Sequence, residues 1–166
     1  MDTITVKPDL SLYERFLEGN YDGGFNKPIT NESELLDTFS NFRRIDINTF
    51  GEWEYRLIPV PDKGIDLFES RKLCCLDGWT MGKNEHLLAL GAKFPEEQAN
   101  PILQIGSSAN FSDEYVLFFF FTLLATKENR RIFSQTTYRG EIKYPAKNDL
   151  DLWIPPARLL SVRRIS

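Results

Sequence analysis

Glu141 and Lys143 have the clearest potential for catalysis, because an acid and a lysine stand two positions apart in a segment whose pattern predicts a strand. Alternate residues of a strand lie on one face, so the two charged groups are expected side by side. A site of this kind holds Mg²⁺ when a second acid lies on a neighbouring strand, and Asp113 is the upstream acid at a suitable distance. The three residues would then form a metal-dependent hydrolytic site.

The segment Glu141-Ile142-Lys143 resembles, over these three residues only, the motif of divalent-metal nucleases of the restriction-endonuclease type. The resemblance implies cleavage of nucleic acid that depends on Mg²⁺, with Asp113 as the second acid. Exposed glutamate and lysine residues that alternate with core residues are also common on edge strands, and a motif this short is only a hypothesis. A small nuclease-like enzyme is therefore the alternative and not the main interpretation.

The histidine and the cysteines exclude many enzyme classes. His86 is the single histidine, which rules out a histidine dyad or a multi-histidine metal site, and we interpret it as a structural or surface residue and not as a general base. Cys74 and Cys75 are adjacent, a spacing that suits neither a zinc site nor a redox pair, so we expect both to be reduced. The Gly23-Gly24 turn lacks the flanking residues of a phosphate or calcium loop. The main interpretation includes no catalytic residue, no cofactor and no metal.

Charge is distributed unevenly along the chain, although the net charge is only −4 and the pI about 5.1. Residues 1–40 hold eight acids and three bases, whereas residues 127–166 hold nine bases and four acids. The basic segment 158–164, with Trp153 and Tyr144 upstream, predicts a nucleic-acid-associated accessory domain as a further alternative. The simpler interpretation is that these arginines are solvated or pair with the acidic amino-terminal helices, because the net charge has the wrong sign for a dedicated nucleic-acid binder.

The elements that must position these residues follow from the hydrophobic pattern. A short strand is predicted over residues 3–6, an amphipathic helix over 10–18, and a second helix from Asn31 or Ser33 through Asn41. Further strands are predicted from residue 43 to 49 and over residues 53–58, 65–68, 73–76, 86–90 and 102–105. The last segment, 158–165, is predicted to be a terminal helix or a tail.

The run from Tyr115 to Ala125 has a single polar member, Thr122, and so predicts an element buried on every side. It is too short and too closely flanked by charges to span a membrane. Its flanking charges favour a helix, while its aromatic residues favour a strand. If it is a strand, residues 127–130 are a hairpin loop and residues 132–143 are its partner.

Together these elements predict a single α+β domain over residues 1–166. It would have two amino-terminal amphipathic helices and a mainly antiparallel sheet around the very apolar central element 115–125. Met1 is followed by Asp2 and not by a basic and apolar leader, so a cytoplasmic location is expected.

The main functional interpretation is a non-catalytic protein-binding domain, of the kind in which an inhibitor or immunity protein neutralises a toxin or nuclease through an acidic face. The partner would be another protein with a basic surface, and neither nucleic acid nor membrane. The expected contact residues are the acids of the first two helices and two aromatic residues of the loop between them. These are Glu14, Glu18, Tyr21, Asp22, Phe25, Glu32, Glu34 and Asp37.

Overall fold

The computed structural model describes residues 2–21, 29–38, 45–111, 115–127, 130–143, 152–153 and 156–165. Four α-helices lie in this part of the chain: α1 (Leu12–Glu18), α2 (Glu32–Thr38), α3 (Leu67–Cys74) and α4 (Asn84–Lys93). Two 3₁₀ turns span Ile47–Thr49 and Pro95–Ala99. The strands are β1 (Thr3–Val6), β2 (Gly51–Pro59), β3 (Ile65–Asp66), β4 (Thr80–Met81), β5 (Ile102–Phe111), β6 (Tyr115–Lys127), β7 (Arg130–Lys143), β8 (Leu152–Trp153) and β9 (Arg158–Arg164).

The protein has an α+β fold, as predicted. The main sheet has the strand order β1-β2-β9-β5-β6-β7, with β4 also paired to β9, while β3 and β8 form a small second sheet. Every pairing in the main sheet is antiparallel except that of β5 with β9. Within the described ranges, no helix has the length and apolar character needed to cross a bilayer.

The apolar run Tyr115–Ala125 lies in strand β6, which resolves the choice between helix and strand. It pairs with β5 on one side and with β7 on the other, and Lys127 stands opposite Arg130 at the hairpin. The predicted partner segment is therefore confirmed. In strand order, however, β6 is next to the terminal strand β7, and the middle of the sheet is formed by β9 and β5.

The first helix begins and ends at residues with clear capping roles. Ser11 caps α1, because its side chain accepts a hydrogen bond from the backbone of Glu14 and the Glu14 carboxylate accepts one from the Ser11 backbone. Leu12 and Phe16, four positions apart, are buried. The helix ends at Gly19, and Asn20 adopts a left-handed conformation with φ of 53°.

Three predicted strands are wrong. Residues 45–49 contain a loop and a 3₁₀ turn, which Asp46 caps by accepting a hydrogen bond from the Asn48 backbone. Residues 73–74 end α3, which starts where Asp66 accepts a hydrogen bond from the backbone of Glu69 at 2.8 Å. Residues 86–90 lie inside α4. A further prediction, a strand over residues 65–68, holds only for Ile65–Asp66, because α3 begins at the next residue.

Strand β9 occupies the centre of the core. Leu159, Leu160 and Val162 are fully buried, and the prediction of a terminal helix or tail is wrong. On one side β9 pairs with β2 over seven residue pairs, from Trp53 opposite Arg164 to Pro59 opposite Arg158. The main apolar cluster joins β9 to β1, α1, α2 and α4. This arrangement places α1 and α4 against the β1 end of the sheet.

Candidate functional site

The exposed residues of α1 and α2 form one candidate surface, which we call the acidic face. It consists of Glu14, Leu17, Glu18, Glu32 and Asp37. The two helices are neighbours, because the Tyr13 hydroxyl of α1 donates a hydrogen bond of 2.5 Å to the carbonyl oxygen of Thr30, just before α2. Leu17 is 56% exposed and is the only large apolar side chain of this face. The first helix is predicted to be amphipathic, with its apolar residues buried, so the exposure of Leu17 differs from that prediction.

Two of the predicted acids help to start the helices. Glu14 completes the capping box of α1 by accepting a hydrogen bond of 3.2 Å from the Ser11 backbone. Glu34 accepts hydrogen bonds from the backbone and the hydroxyl of Thr30, at 2.9 and 3.0 Å. Substitution of either residue would therefore change helix stability as well as surface charge.

The other acids of the face are more available to a partner. Glu18 forms an ion pair of 3.0 Å with Lys7, but both side chains are largely exposed, so the pair is weak. Glu32 and Asp37 are exposed, and within the described ranges neither makes an ion pair. These two carboxylates are the clearest candidates for contact with a basic surface.

One of the two predicted aromatic anchors, Tyr21, does not belong to the exposed face. Tyr21 is only 6% exposed, and its hydroxyl donates a hydrogen bond of 2.8 Å to the Leu88 carbonyl oxygen of α4. Its ring packs at 5.6 Å from that of Phe16, so in this structure it is a core residue. Asp22 and Phe25 lie outside the described residues.

A cavity of about 430 Å³ lies between β1, α1 and α4, and we call it the α1–α4 cavity. Its lining includes Arg15 and Glu85, which are only 5% and 4% exposed. A terminal nitrogen of Arg15 donates a hydrogen bond to the Lys7 carbonyl oxygen, and Glu85 Oε1 accepts one of 3.2 Å from the Asp46 backbone. Arg15 Nε and Glu85 Oε2 have no hydrogen-bond partner in the part of the chain that the structure describes.

Burial acts on both charged groups of the cavity. It lowers the pKa of Arg15 and raises the pKa of Glu85, because each charged form has lost water. Lys7, Glu18 and Lys93 also line the cavity. Sequence reasoning missed this site, since α4 is far from β1 and α1 in the chain and no local motif links them.

The arginines of the basic segment 158–164 contact other residues of the fold. Arg158 pairs with Glu97 at 2.8 Å, and Arg163 pairs with Glu54 at 2.6 Å. Arg164 lies 4.2 Å above the Trp53 ring. The two ion pairs are made to β2 and to the second 3₁₀ turn, and not to the acidic helices as sequence analysis suggested.

Two of the three proposed nuclease residues belong to the described part of the chain. Glu141 and Lys143 lie on β7, where Lys143 is opposite Tyr115 of β6. Asp113 lies outside the described residues, as does Tyr144 of the basic segment. Among the residues that are described, no three or more histidine, cysteine or acidic side chains are grouped as metal ligands. The metal site of the alternative interpretation stays a prediction.

His86 and Cys74 are buried within the core. His86 Nδ1 accepts a hydrogen bond of 3.0 Å from the Lys83 backbone, and the ring packs edge-on against Trp53 at 4.4 Å. Burial, followed by the positive charges of Lys83 and Arg164, lowers the pKa of His86 to about 3. Burial also raises the pKa of Cys74 to about 12, which removes its reactivity at neutral pH.

The structure thus offers two candidate surfaces, the acidic face and the α1–α4 cavity. No protein-family model, curated protein or solved structure matches this chain. The acidic face is suited to a basic macromolecule, and the cavity is suited to a small molecule.

Proposed function

We propose that the chain is a non-catalytic protein-binding domain, and that its acidic face binds a partner protein with a basic surface. The observation that carries the proposal is the exposure of Glu32 and Asp37 without an ion-pair partner among the described residues, on a helix that adjoins α1. Carboxylates that the described part of the chain does not neutralise can attract a cationic surface.

The surroundings of these two acids support the same conclusion. The described residues up to 38 contain seven acids and two bases, and one of those bases, Arg15, is buried. Leu17 adds an exposed apolar side chain that a partner can desolvate. An acidic rim with an apolar contact gives fast, salt-sensitive association together with a short-range contribution to affinity.

The class of partner that fits best is a basic toxin or nuclease, which the domain would neutralise as an inhibitor or immunity protein does. An enzyme that acts on nucleic acid needs a cationic cleft, and an acidic face can occupy that cleft in place of the substrate. The proposal includes a cytoplasmic setting, which two free cysteines, the buried Cys74 and the exposed Cys75, support.

The test compares two variants with equal charge changes. In Glu32→Lys/Asp37→Lys, two acids of the face become lysines, whereas Asp62→Lys/Glu96→Lys makes the same change at exposed acids outside it. The immobilised wild-type protein is first used to capture partners from a lysate of its source at low and high salt. The captured partner is then purified, and its association rate with each variant is measured.

The face variant should associate at least about tenfold more slowly than wild type, with a flatter salt dependence, because charge steering acts mainly on the association rate. The matched control should stay close to the wild-type rate. If the association rate fell equally in the two variants, the effect would come from net charge alone, and a specific binding face would be refuted. Capture of no protein at either salt concentration would contradict the binding function itself.

A further inference from the structure

We propose that the α1–α4 cavity binds a small molecule that carries an anionic oxygen group, either a carboxylate or a phosphate. This site adjoins the acidic face, with which it shares Glu18, and it serves a ligand of a different kind. The proposal depends on the buried polar atoms of the cavity, the charge of its lining and its size.

Arg15 and Glu85, which both line the cavity, each have one buried polar atom that is unsatisfied. Arg15 Nε and Glu85 Oε2 have no hydrogen-bond partner among the described residues, although both side chains are at least nine-tenths buried. The two groups attract each other, but they form no ion pair. Buried polar groups are nearly always paired, so a bound group that reaches both atoms would remove an energetic cost.

The charges of the lining favour an anion. Three of the lining residues are bases, namely Lys7, Arg15 and Lys93, while the two acids are Glu18 and Glu85. Glu18 already neutralises Lys7 at 3.0 Å. Lys93 is exposed at the rim, where it donates a hydrogen bond of 2.7 Å to the Thr3 carbonyl oxygen. Arg15 and Lys93 are therefore the bases that remain for a ligand.

The two buried side chains offer complementary donors. A guanidinium group forms strong hydrogen bonds to carboxylate and phosphate oxygens. Because burial raises the pKa of Glu85, its carboxyl group is protonated more readily than usual, and in that form it donates a hydrogen bond to the same oxygen group. An anionic ligand would thus satisfy Arg15 Nε, and it would also satisfy Glu85 Oε2 when that carboxyl group is protonated.

The size and walls of the cavity suit a small organic molecule. Its volume of about 430 Å³ lies within the range of roughly 300 to 1,000 Å³ that is typical of ligand pockets. Leu10, Leu88, Ala89 and Ala92 supply apolar walls beside the charged groups. The cavity therefore combines an apolar lining with a few convergent polar atoms, which is the usual composition of a ligand site.

The experiment is a titration of ¹⁵N-labelled full-length protein, followed by amide chemical shifts, with three probes: inorganic phosphate, succinate and the cation methylammonium. Phosphate or succinate should shift amides of β1, α1 and α4 in a saturable manner, with a dissociation constant of about 1 mM or tighter. The anion that binds more tightly identifies the ligand as a phosphate or a carboxylate. Binding of neither anion, or preferential binding of methylammonium, would overturn the proposal.

Two variants and one control locate the binding. Arg15→Met should weaken anion binding about tenfold or more, since it removes the charged donor but keeps a long side chain. Ala89→Phe should also weaken anion binding, because the larger side chain fills the cavity while the charges stay intact. This variant provides the test if Arg15→Met does not fold. Lys63→Gln removes a positive charge from an exposed turn outside the cavity and should leave binding unchanged. Anion binding that survives in Ala89→Phe would place the anion elsewhere and overturn the proposal.

Discussion

The burial of His86 makes a quantitative prediction about stability at acidic pH. Its pKa is lowered to about 3 in the folded protein, whereas an unfolded chain has a histidine pKa of roughly 6.5. Below pH 6.5 the unfolded chain therefore takes up a proton that the folded protein does not accept until about pH 3. Since protons then bind preferentially to the unfolded state, the free energy of unfolding must fall as the pH decreases through this window.

The size of the effect follows from the two pKa values. Within the window, one proton of difference costs about 1.4 kcal/mol for each pH unit. Between pH 7 and pH 4.5 the contribution of His86 alone should fall by about 2–3 kcal/mol. A loss of this size is a large part of the stability of an ordinary domain, which is roughly 5–15 kcal/mol.

The assay isolates His86 from the acids that also titrate. His86→Gln is the matched variant, because a glutamine at this third helical position can still accept the hydrogen bond from the Lys83 backbone. Urea unfolding of both proteins is measured from pH 7 to pH 4.5, and the difference between them is plotted against pH. Wild type should lose about 2–3 kcal/mol relative to the variant over this range.

Two results would refute the reasoning. The first is a difference between wild type and His86→Gln that does not change with pH. The second is a histidine that titrates near its ordinary pKa in the folded protein, which proton NMR reads without an assignment because the chain has one histidine. Either result would mean that the imidazole is hydrated and not enclosed by Trp53 and α4.

Two further predictions concern packing and are checked by urea unfolding at neutral pH. Gly106→Ala should lower the free energy of unfolding by about 1–3 kcal/mol, because a Cβ there would lie 2.6 Å from the backbone carbonyl oxygen of Gly82. Unchanged stability would show that β5 and the backbone at Gly82 move apart easily. Leu160→Ala should cost about 2–5 kcal/mol, as expected for a fully buried leucine of β9. Ile47→Ala, at a side chain that is 72% exposed, should cost less than about 0.5 kcal/mol, and equal losses at the two positions would contradict the assigned burial.

The sequence predicted elements well where one face is buried and local chemistry marks the ends. Thr3–Val6 alternates between core and solvent, and α1 has both a capping box and a terminal glycine. Prediction failed for α4, whose residues from Asn84 to Leu88 are all buried. A helix that is enclosed on most sides has little amphipathic period, so its short apolar stretch is easily mistaken for a strand.

The remaining failures reflect contacts between distant parts of the chain. The arginines of β9 suggested a solvated tail. The apolar residues between them are buried in a strand that pairs with β2 and β5, and no local pattern shows this. The acids Glu32 and Asp37 of the candidate face could be read from the sequence. The burial of Tyr21 could not, because it depends on contact with Leu88 of α4.

The central place of β9 has a consequence for how the protein folds. Trp53 pairs with Arg164, and Pro59 pairs with Arg158, so the middle of the sheet joins residues about a hundred positions apart in the chain. Such a topology has a high contact order, and its nucleus must close a long loop before these contacts stabilise it. During synthesis the strands before β9 leave the ribosome without their neighbour, and β2 and β5 present unpaired edges until residues 158–164 emerge. Folding of this chain is therefore expected to be slow.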